Sequence, residues 1–486
     1  MTQLSSTTSL WEDDLALPVR KKISERTVLL GQELFARFRF ERPRPWQRRW
    51  WDDQVMAWTM RDERLKVELF RFVDVLPMLK SSDDIAGHLL EYFANAKDGV
   101  PLWLRAGLKV AGSGRLGKSM LARVATAGAS NFARRFIAGS TVDQVLAAAK
   151  KQREAPCAFT LDILGEAVIS DAEADAYFRA YIQLIENVAP QVNQWQEVPQ
   201  LDRDENGTLP RFNLSIKLSA LDAHFDAIDP EGTCERAGNR LRELLRVAKQ
   251  HQAFINVDME SYEKKDLTLH IFKTILGEKE FRDTTDVGIV IQCYLKSAPS
   301  DLEGLMLWAQ NRGTPVWVRL VKGAYWDYET VHAQAEQWPI PVFEQKWQSD
   351  ATFERATRFT LKHREHLRPA LGSHNIRSIA HGLATAEALE IPHEGLEIQM
   401  VYGMADVEKK ALAQRGNRIR VYMPYGELIP GMAYLVRRLL ENTSNDSFLR
   451  AGLQKNKPQA ALLSDPADND LANQPQELKL EDSNTE

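Results

Sequence analysis

Tyr434, Arg437, Arg438 and Glu441 stand at i, i+3, i+4 and i+7 in the run RIRVYMPYGELIPGMAYLVRRLLE, residues 418–441. On a helix these four share one face. Two adjacent guanidiniums there could clamp a carboxylate or a phosphate, because arginine's planar fork captures a small planar anion through two N–H groups. An Arg-Arg pair taken alone also reads as a solvated helix face. The surroundings decide for a helix. Arg418 to Tyr422 alternates as a short strand, Pro424, Tyr425 and Gly426 make a turn, and Pro430 fits an opening helical turn. Met432, Leu435, Val436, Leu439 and Leu440 then supply an apolar stripe.

Further polar residues fall at the ends of short apolar runs. Lys217 closes NLSIKLS, Asp258 and Glu260 close FINVDME, and Gln292 and Tyr294 lie in VGIVIQCYL. Arg319, Lys322, Gly323 and Tyr325 belong to VRLVKGAY, His374 and Asn375 end ALGSHN, Gln399 and Tyr402 end LEIQMVYG, and Tyr422 and Tyr425 end the last run. Each is an ordinary satisfied polar group when taken singly. Together they describe a mouth of cations, amides and tyrosines. No metal is expected, because the histidines lack ligand spacing and no compact carboxylate cluster accompanies them. Nor is there a nucleophile with its base. Such a set suits a planar, anionic, polar-edged cofactor and a carboxylate substrate.

The elements that must position these residues are eight strand candidates beginning at residues 159, 213, 254, 287, 315, 370, 396 and 418. They alternate with helical segments such as Ala172 to Ile185, Arg236 to Gln250, Asp301 to Asn311 and Asp350 to His363. Alternating strand and helix means a parallel sheet with crossovers. Eight such units over roughly 300 residues predict an α/β chain with a (β/α)8 TIM-like barrel, whose chemistry sits at the carboxyl ends of its strands. The expected boundaries are a disordered N-terminus at 1–22, an α-helical N-terminal region at 23–150, the barrel at 155–455 and a disordered acidic tail at 456–486.

Composition narrows the setting. A chain of 486 residues with 44% hydrophobic content buries a large core, and a net charge of −5 gives no basic field for nucleic acid. Cys157, Cys234 and Cys293 match neither a disulfide framework nor metal spacing, so a reducing compartment is expected. The N-terminus lacks a signal-peptide pattern and no apolar run would span a bilayer. The expectation is a soluble cytoplasmic protein, with peripheral contact at the inner membrane left open. Two motifs compete for attention. RPRPWQRRWW (42–51) mixes Arg48 and Arg49 with Trp46, Trp50 and Trp51, as a membrane or nucleic-acid patch would, but arginine stems over tryptophan also pack. Gly112 to Ser119 matches the P-loop pattern, yet Pro101 to Ala111 does not read as the buried strand such a loop must leave.

The segments TLDILGEA, SIKLSAL, NVDMESYEKKDLT, VIQCYLK, VRLVKGAYWDYE, GSHN and YMPYGELIPGMAYLVRRLLEN together resemble the proline dehydrogenase domain of the proline utilization A family, from about Thr160 to Leu453. The helical region before residue 150 resembles the arm and helical domain of that family more weakly. This resemblance implies an FAD-containing (β/α)8 barrel that oxidises L-proline to 1-pyrroline-5-carboxylate by hydride transfer to flavin N5, with electrons passed to a membrane quinone. It implies that Lys217, Arg437 and Arg438 hold the proline carboxylate, that Tyr422 and Tyr434 shape the pocket, and that Asp258 supports them. Gln292, Arg319, Lys322, Gly323, Ala324, Trp326 and His374 would contact FAD, with Arg319, Lys217, Arg437 and Arg438 carrying the chemistry. Longer family members carry an aldehyde dehydrogenase module after the barrel and some a DNA-binding domain before it. Neither is expected here, so a separate pyrroline-5-carboxylate dehydrogenase would act downstream.

Overall fold

The computed structural model describes residues 11–12, 14–40, 68, 71–72, 75–95, 115–165, 168–427 and 459–468. Its centre is a closed barrel of eight parallel strands: β1 (Ala158–Ile163), β2 (Phe212–Ile216), β3 (Ala253–Val257), β4 (Val287–Gln292), β5 (Val316–Val321), β6 (Leu367–Gly372), β7 (Glu397–Val401) and β8 (Arg418–Tyr425). Each pairs with the next, and β8 closes on β1 with Thr160 opposite Tyr422. All eight expected strands are present, within a few residues of their predicted limits.

Strand alternation divides the barrel into two chemistries. The outward set, including Leu161, Leu214, Ile216, Ile255, Ile289, Val318, Leu320, Leu371, Ile398, Ile419 and Val421, is fully buried under helices. Each such side chain contributes about 1.5–3 kcal/mol by leaving water. The alternate positions are polar and buried: Thr160, Asp162, Asn213, Ser215, Asn256, Asp258, Arg319, Glu397, Gln399 and Arg420. Most of them bond to one another. Arg420 forks onto Glu397 at 2.7 and 2.9 Å and gives its third donor to the Phe159 carbonyl at 2.9 Å.

The N-terminal helices are α1 (Leu17–Phe40), α2 (Ser82–Asn95), α3 (Arg115–Phe136) and α4 (Val142–Glu154). The barrel layer consists of α5 (Asp171–Asn193), α6 (Pro230–Gln250), α7 (Tyr262–Gly277), α8 (Ala298–Arg312), α9 (Trp326–Ala335), α10 (Lys346–Lys362), α11 (Ile376–Ala388) and α12 (Asp406–Gln414). Sequence supplies the stops: Gly313, at φ 78°, ends α8 in the left-handed conformation, and Asn375 begins α11 by accepting from Ser378 N at 3.2 Å. The helix expected after β8, with Tyr434, Arg437 and Arg438, lies outside the described residues.

Both expected termini differ from the fold. Helix α1 begins at Leu17, inside the segment expected to be disordered, and Asp14 before it accepts the Arg358 guanidinium at 2.6 Å. Helix α1 lies on α11 through Ile23, Leu30 and Leu34, with Arg26 donating to Glu387 at 2.7 Å. Within the tail expected to be disordered, residues 459–468 fold back onto the same place. Leu463 is 1% exposed, its carbonyl accepts from Arg377 at 2.6 Å, and Asp465 accepts from Ser24 Oγ at 2.7 Å. One buried leucine and one paired aspartate outweigh a polar composition.

The P-loop match also meets its structure. Gly117, Lys118 and Ser119 belong to α3, which already begins at Arg115, and Lys118 Nζ lies 3.4 Å from Asp83 on α2. A phosphate loop needs that lysine where the helix opens, with residues 115 and 116 still in the loop. Residues 112–114 and the Trp46–Trp51 patch lie outside the described residues. After α3, the chain joins the barrel mouth: Ala138 N donates to Pro424 O at 2.8 Å and Gly426 N to Gly139 O at 3.0 Å.

Candidate active site

Period-2 geometry in neighbouring strands aims Asp162, Lys217, Asp258, Arg319 and Tyr422 into one space at the C-terminal mouth. Asp258 is its hub. Arg319 Nη1 donates to Asp258 Oδ1 at 2.6 Å, Tyr422 donates its hydroxyl proton to Oδ2 at 2.7 Å, and Asn256 Nδ2 reaches Oδ1 at 3.2 Å. Lys217 Nζ stands 3.6 Å from the same carboxylate and donates to Asp162 Oδ1 at 2.5 Å. Arg319 also donates to Ser215 Oγ at 3.0 Å, and its guanidinium lies 5.2 Å from the centre of the Tyr422 ring.

Charge states follow from these contacts. Burial raises the pKa of the Asp258 carboxyl, but Arg319, Lys217 and the Tyr422 hydrogen bond more than offset this and bring it below the ordinary carboxylate range. Burial opposes the charge of Lys217, yet Asp162 and Asp258 hold its pKa well above the usual lysine value. Burial wins at Asp162: despite the Lys217 ammonium, its pKa is raised, and the Asp258 charge adds to the shift. The mouth therefore holds a fixed cation on Lys217, whose side chain is 30% exposed and able to meet an anion.

A second group sits beside it at the ends of β4 to β7. Gln292 Nε2 donates to Glu260 O at 3.0 Å, leaving its buried Oε1 without a partner among the described residues. Gly323 has φ 128°, and a Cβ there would lie 2.3 Å from the Tyr294 ring, so only glycine fits. Lys322 pairs with Asp350, and burial brings its pKa below the ordinary lysine value despite that partner. Ala324 leads into α9, where Trp326 opens the helix and donates Nε1–H to Phe343 O at 2.8 Å. The ring of His374 accepts the Val401 N–H at Nε2, 3.0 Å away, which leaves Nδ1 as the protonated nitrogen of a neutral imidazole.

Of the predicted substrate set, the fold brings together Lys217, Asp258 and Tyr422, with Arg319 among them; Tyr434, Arg437 and Arg438 are not described. The predicted cofactor set lies along the adjoining strand ends. Sequence reasoning missed Asp162, Ser215, Asn256 and Asp350. The first three could have been found by counting in twos. Asp162 interrupts the apolar run FTLDI, while Ser215 and Asn256 each precede a predicted residue by two positions and so share its face. Asp350 carries no such signal, because a helix–strand contact across 28 residues sets it beside Lys322.

Among the described residues, no helix is long and apolar enough to cross a membrane. Comparison with known proteins places the architecture. A family model described as the proline utilization A N-terminal domain matches residues 24–136, which contain the P-loop-like pattern, and one described as proline dehydrogenase matches residues 145–451. The bifunctional protein PutA of Klebsiella aerogenes is 30% identical over 338 residues, 68% of this chain and 25% of that protein. Proline dehydrogenase 1 of Bacillus subtilis is 29% identical over 323 residues, 66% of this chain and 91% of that protein. A crystal structure of proline utilization A from Bdellovibrio bacteriovorus inactivated by N-propargylglycine aligns with a TM-score of 0.84 at 42% identity, over 92% of this chain and 44% of that one. The chain thus spans about a quarter of the Klebsiella protein and most of the Bacillus one. With the matching model covering the whole barrel and the charged mouth lying inside it, the chain belongs to the proline dehydrogenase family.

Proposed function

We propose that the chain is an FAD-dependent L-proline dehydrogenase, oxidising L-proline to 1-pyrroline-5-carboxylate as the first step of proline catabolism, with hydride transfer to flavin N5 and electrons leaving to a membrane quinone. The observation that carries the reading is the Asp258 hub, which fixes Arg319, Tyr422 and Lys217 around one carboxylate at the barrel mouth. Such a mouth offers a positioned cation and a tyrosine ring beside a second cluster suited to a flavin.

The residues fit the cofactor. Gln292 has an unpartnered buried amide oxygen for a ring N–H, and Gly323 lets the backbone come close where any side chain would collide. Arg319, Lys322, Ala324, Trp326 and His374 complete the set that would hold it. When bound, the flavin supplies the two-electron acceptor. The protein's part is positional. Lys217, with Arg437 and Arg438, would hold the substrate carboxylate, so the ring carbon beside nitrogen stays at a near-attack distance of about 3–3.5 Å. Tyr422, fixed by Asp258, forms a wall of that pocket, and Arg319 brings positive charge where electron density accumulates.

The test is a visible spectrum of the purified protein before and after anaerobic L-proline. Flavin bands that bleach establish the activity. Bands that persist keep the cofactor and overturn the substrate, and a protein that stays colourless after incubation with FAD overturns both.

A further inference from the structure

Below the Asp258 hub, on the N-terminal side of the mouth, the barrel holds a small cavity of about 10 Å³ lined by Asn256, Trp317, Arg319, Glu397, Gln399 and Arg420 together with apolar side chains. Three buried polar atoms of its lining have no partner among the described residues: Trp317 Nε1, Arg319 Nε and Gln399 Oε1. Their residues are 7%, 5% and 7% exposed. Leaving three buried polar groups unmatched is unfavourable, so a ligand is called for.

Chemistry selects the ligand. Trp317 Nε1 and Arg319 Nε can only donate. Gln399 Nε2 donates to Glu397 Oε1 at 2.7 Å, so its oxygen is the free end of the amide; the opposite orientation would set oxygen against carboxylate. Two donors and one acceptor match one water, which accepts twice and donates once or twice. An inorganic anion would face the Glu397 carboxylate and a cation would face Arg319 and Arg420. The volume suits about one water.

We propose that this cavity is a built site for one ordered water bridging Trp317, Arg319 and Gln399, and that Trp317 and Gln399 are positioning residues for Arg319. The guanidinium is otherwise held by its outer nitrogens alone, Nη1 on Asp258 and Nη2 on Ser215. The water supplies the third anchor, at Nε, and restrains the planar guanidinium against rotation about its Cδ–Nε bond. A bridging water costs little more than a direct hydrogen bond and gives nearly the same enthalpy. The consequence for flavin chemistry rests on the functional reading above, through the role assigned there to Arg319.

Two measurements test it. A high-resolution crystal structure of the holoenzyme should show a water within hydrogen-bonding distance of all three atoms, and the same structure of Trp317→Phe should show it lost or displaced. Anaerobic stopped-flow reduction by L-proline should be slowed about tenfold in both Trp317→Phe and Gln399→Leu, with the midpoint potential of the bound flavin shifted and the KM for proline little changed. A purely structural role would lower the melting temperature without moving the potential of the folded enzyme. Absence of water density in the wild type overturns the proposal, as does an unchanged potential and reduction rate in both variants. If the protein binds no flavin, the functional reading fails while the density experiment still decides the water site.

Discussion

Tyr422 on β8 donates its hydroxyl proton at 2.7 Å to Asp258, the residue after β3, three strands round the barrel and 164 positions away in sequence. This bond sets the rotamer of a tyrosine whose ring lies 5.2 Å from the Arg319 guanidinium, while the same carboxylate holds Arg319 through its other oxygen. Pocket wall and cation are thereby fixed relative to each other by one acid.

Removing the hydroxyl tests that coupling. A hydrogen bond to an ionised carboxylate is worth about 1.5–3 kcal/mol. Tyr422→Phe keeps the ring, so kcat/KM for proline is expected to fall about tenfold to a hundredfold with little change in melting temperature. Steady-state kinetics with a soluble electron acceptor measure it. Turnover equal to wild type would show that the Asp258 contact does not organise the pocket.

Gly323 gives a test of the cofactor cradle. Its φ of 128° is disfavoured for any L side chain, and a methyl there would press into Tyr294, whose backbone is pinned by Lys322 O at 2.7 Å and Phe343 N at 2.8 Å. The strain must therefore appear in the loop that carries Lys322 and Ala324. Gly323→Ala is expected to purify with flavin content reduced about tenfold, consistent with a penalty of about 1–2 kcal/mol. Visible absorbance per mole of protein reads it directly, and full occupancy would remove Gly323 from the site.

A pH-dependent stability term comes from α10, the helix that also carries Asp350, the partner of Lys322. Burial pushes the Glu354 carboxyl up to about 7, although Arg377 forks onto it at 2.8 and 3.0 Å. Arg358, Asp465 and His381 also face it, His381 at 3.3 Å and itself pushed well below the usual histidine range by burial. A raised carboxyl pKa means the folded chain keeps a proton that the unfolded chain has released. The stabilisation is complete below the unfolded value near 4.5 and is lost as pH rises through about 7. Urea midpoints of wild type and Glu354→Gln, compared across that window, should diverge, with the wild type losing on the order of a few kcal/mol relative to the variant. Parallel curves would mean that Arg377 keeps Glu354 ionised throughout.

The sequence made the barrel legible because short apolar runs alternate with helical segments, and several of those runs also alternate between apolar and polar positions. Leu161, Leu214 and Ile255 face helices while Thr160, Asn213 and Asn256 face inward, and that pattern survives without any knowledge of tertiary contacts. The mouth residues Lys217, Asp258, Arg319 and Tyr422 were legible for the same reason, since each ends a strand with the correct parity. Partners supplied from elsewhere were not. Asp350 reaches Lys322 from a helix, and Asp14 and Asp465 reach Arg358 and Arg377 from the chain's two ends. No local rule announces such contacts. The P-loop pattern failed in the other direction: a motif matched in letters, while the helix beginning at Arg115 had already claimed part of its loop.

The folded C-terminal segment gives the last prediction. Leu463 packs so closely on α1 that a Cβ on Gly31 would come within 2.4 Å of its Cδ2, and the adjoining Asp465 pairs with both Ser24 and Arg377. Residues 459–468 therefore join α1 to α11 as a clasp. Leu463→Ala would remove a side chain that is 1% exposed and leave a cavity, at a cost of about 2–5 kcal/mol. Among the described residues none of Lys217, Asp258, Arg319 and Tyr422 bonds to this clasp, so kcat/KM for proline at low temperature should stay near the wild-type value while the denaturation midpoint falls. Gly31→Ala, which crowds the same leucine, should destabilise in the same direction, and the pair combined should lose less than the sum, since the smaller side chain at 463 makes room for the new methyl. Additive losses would place Leu463 and Gly31 in separate environments and leave the clasp without its central contact.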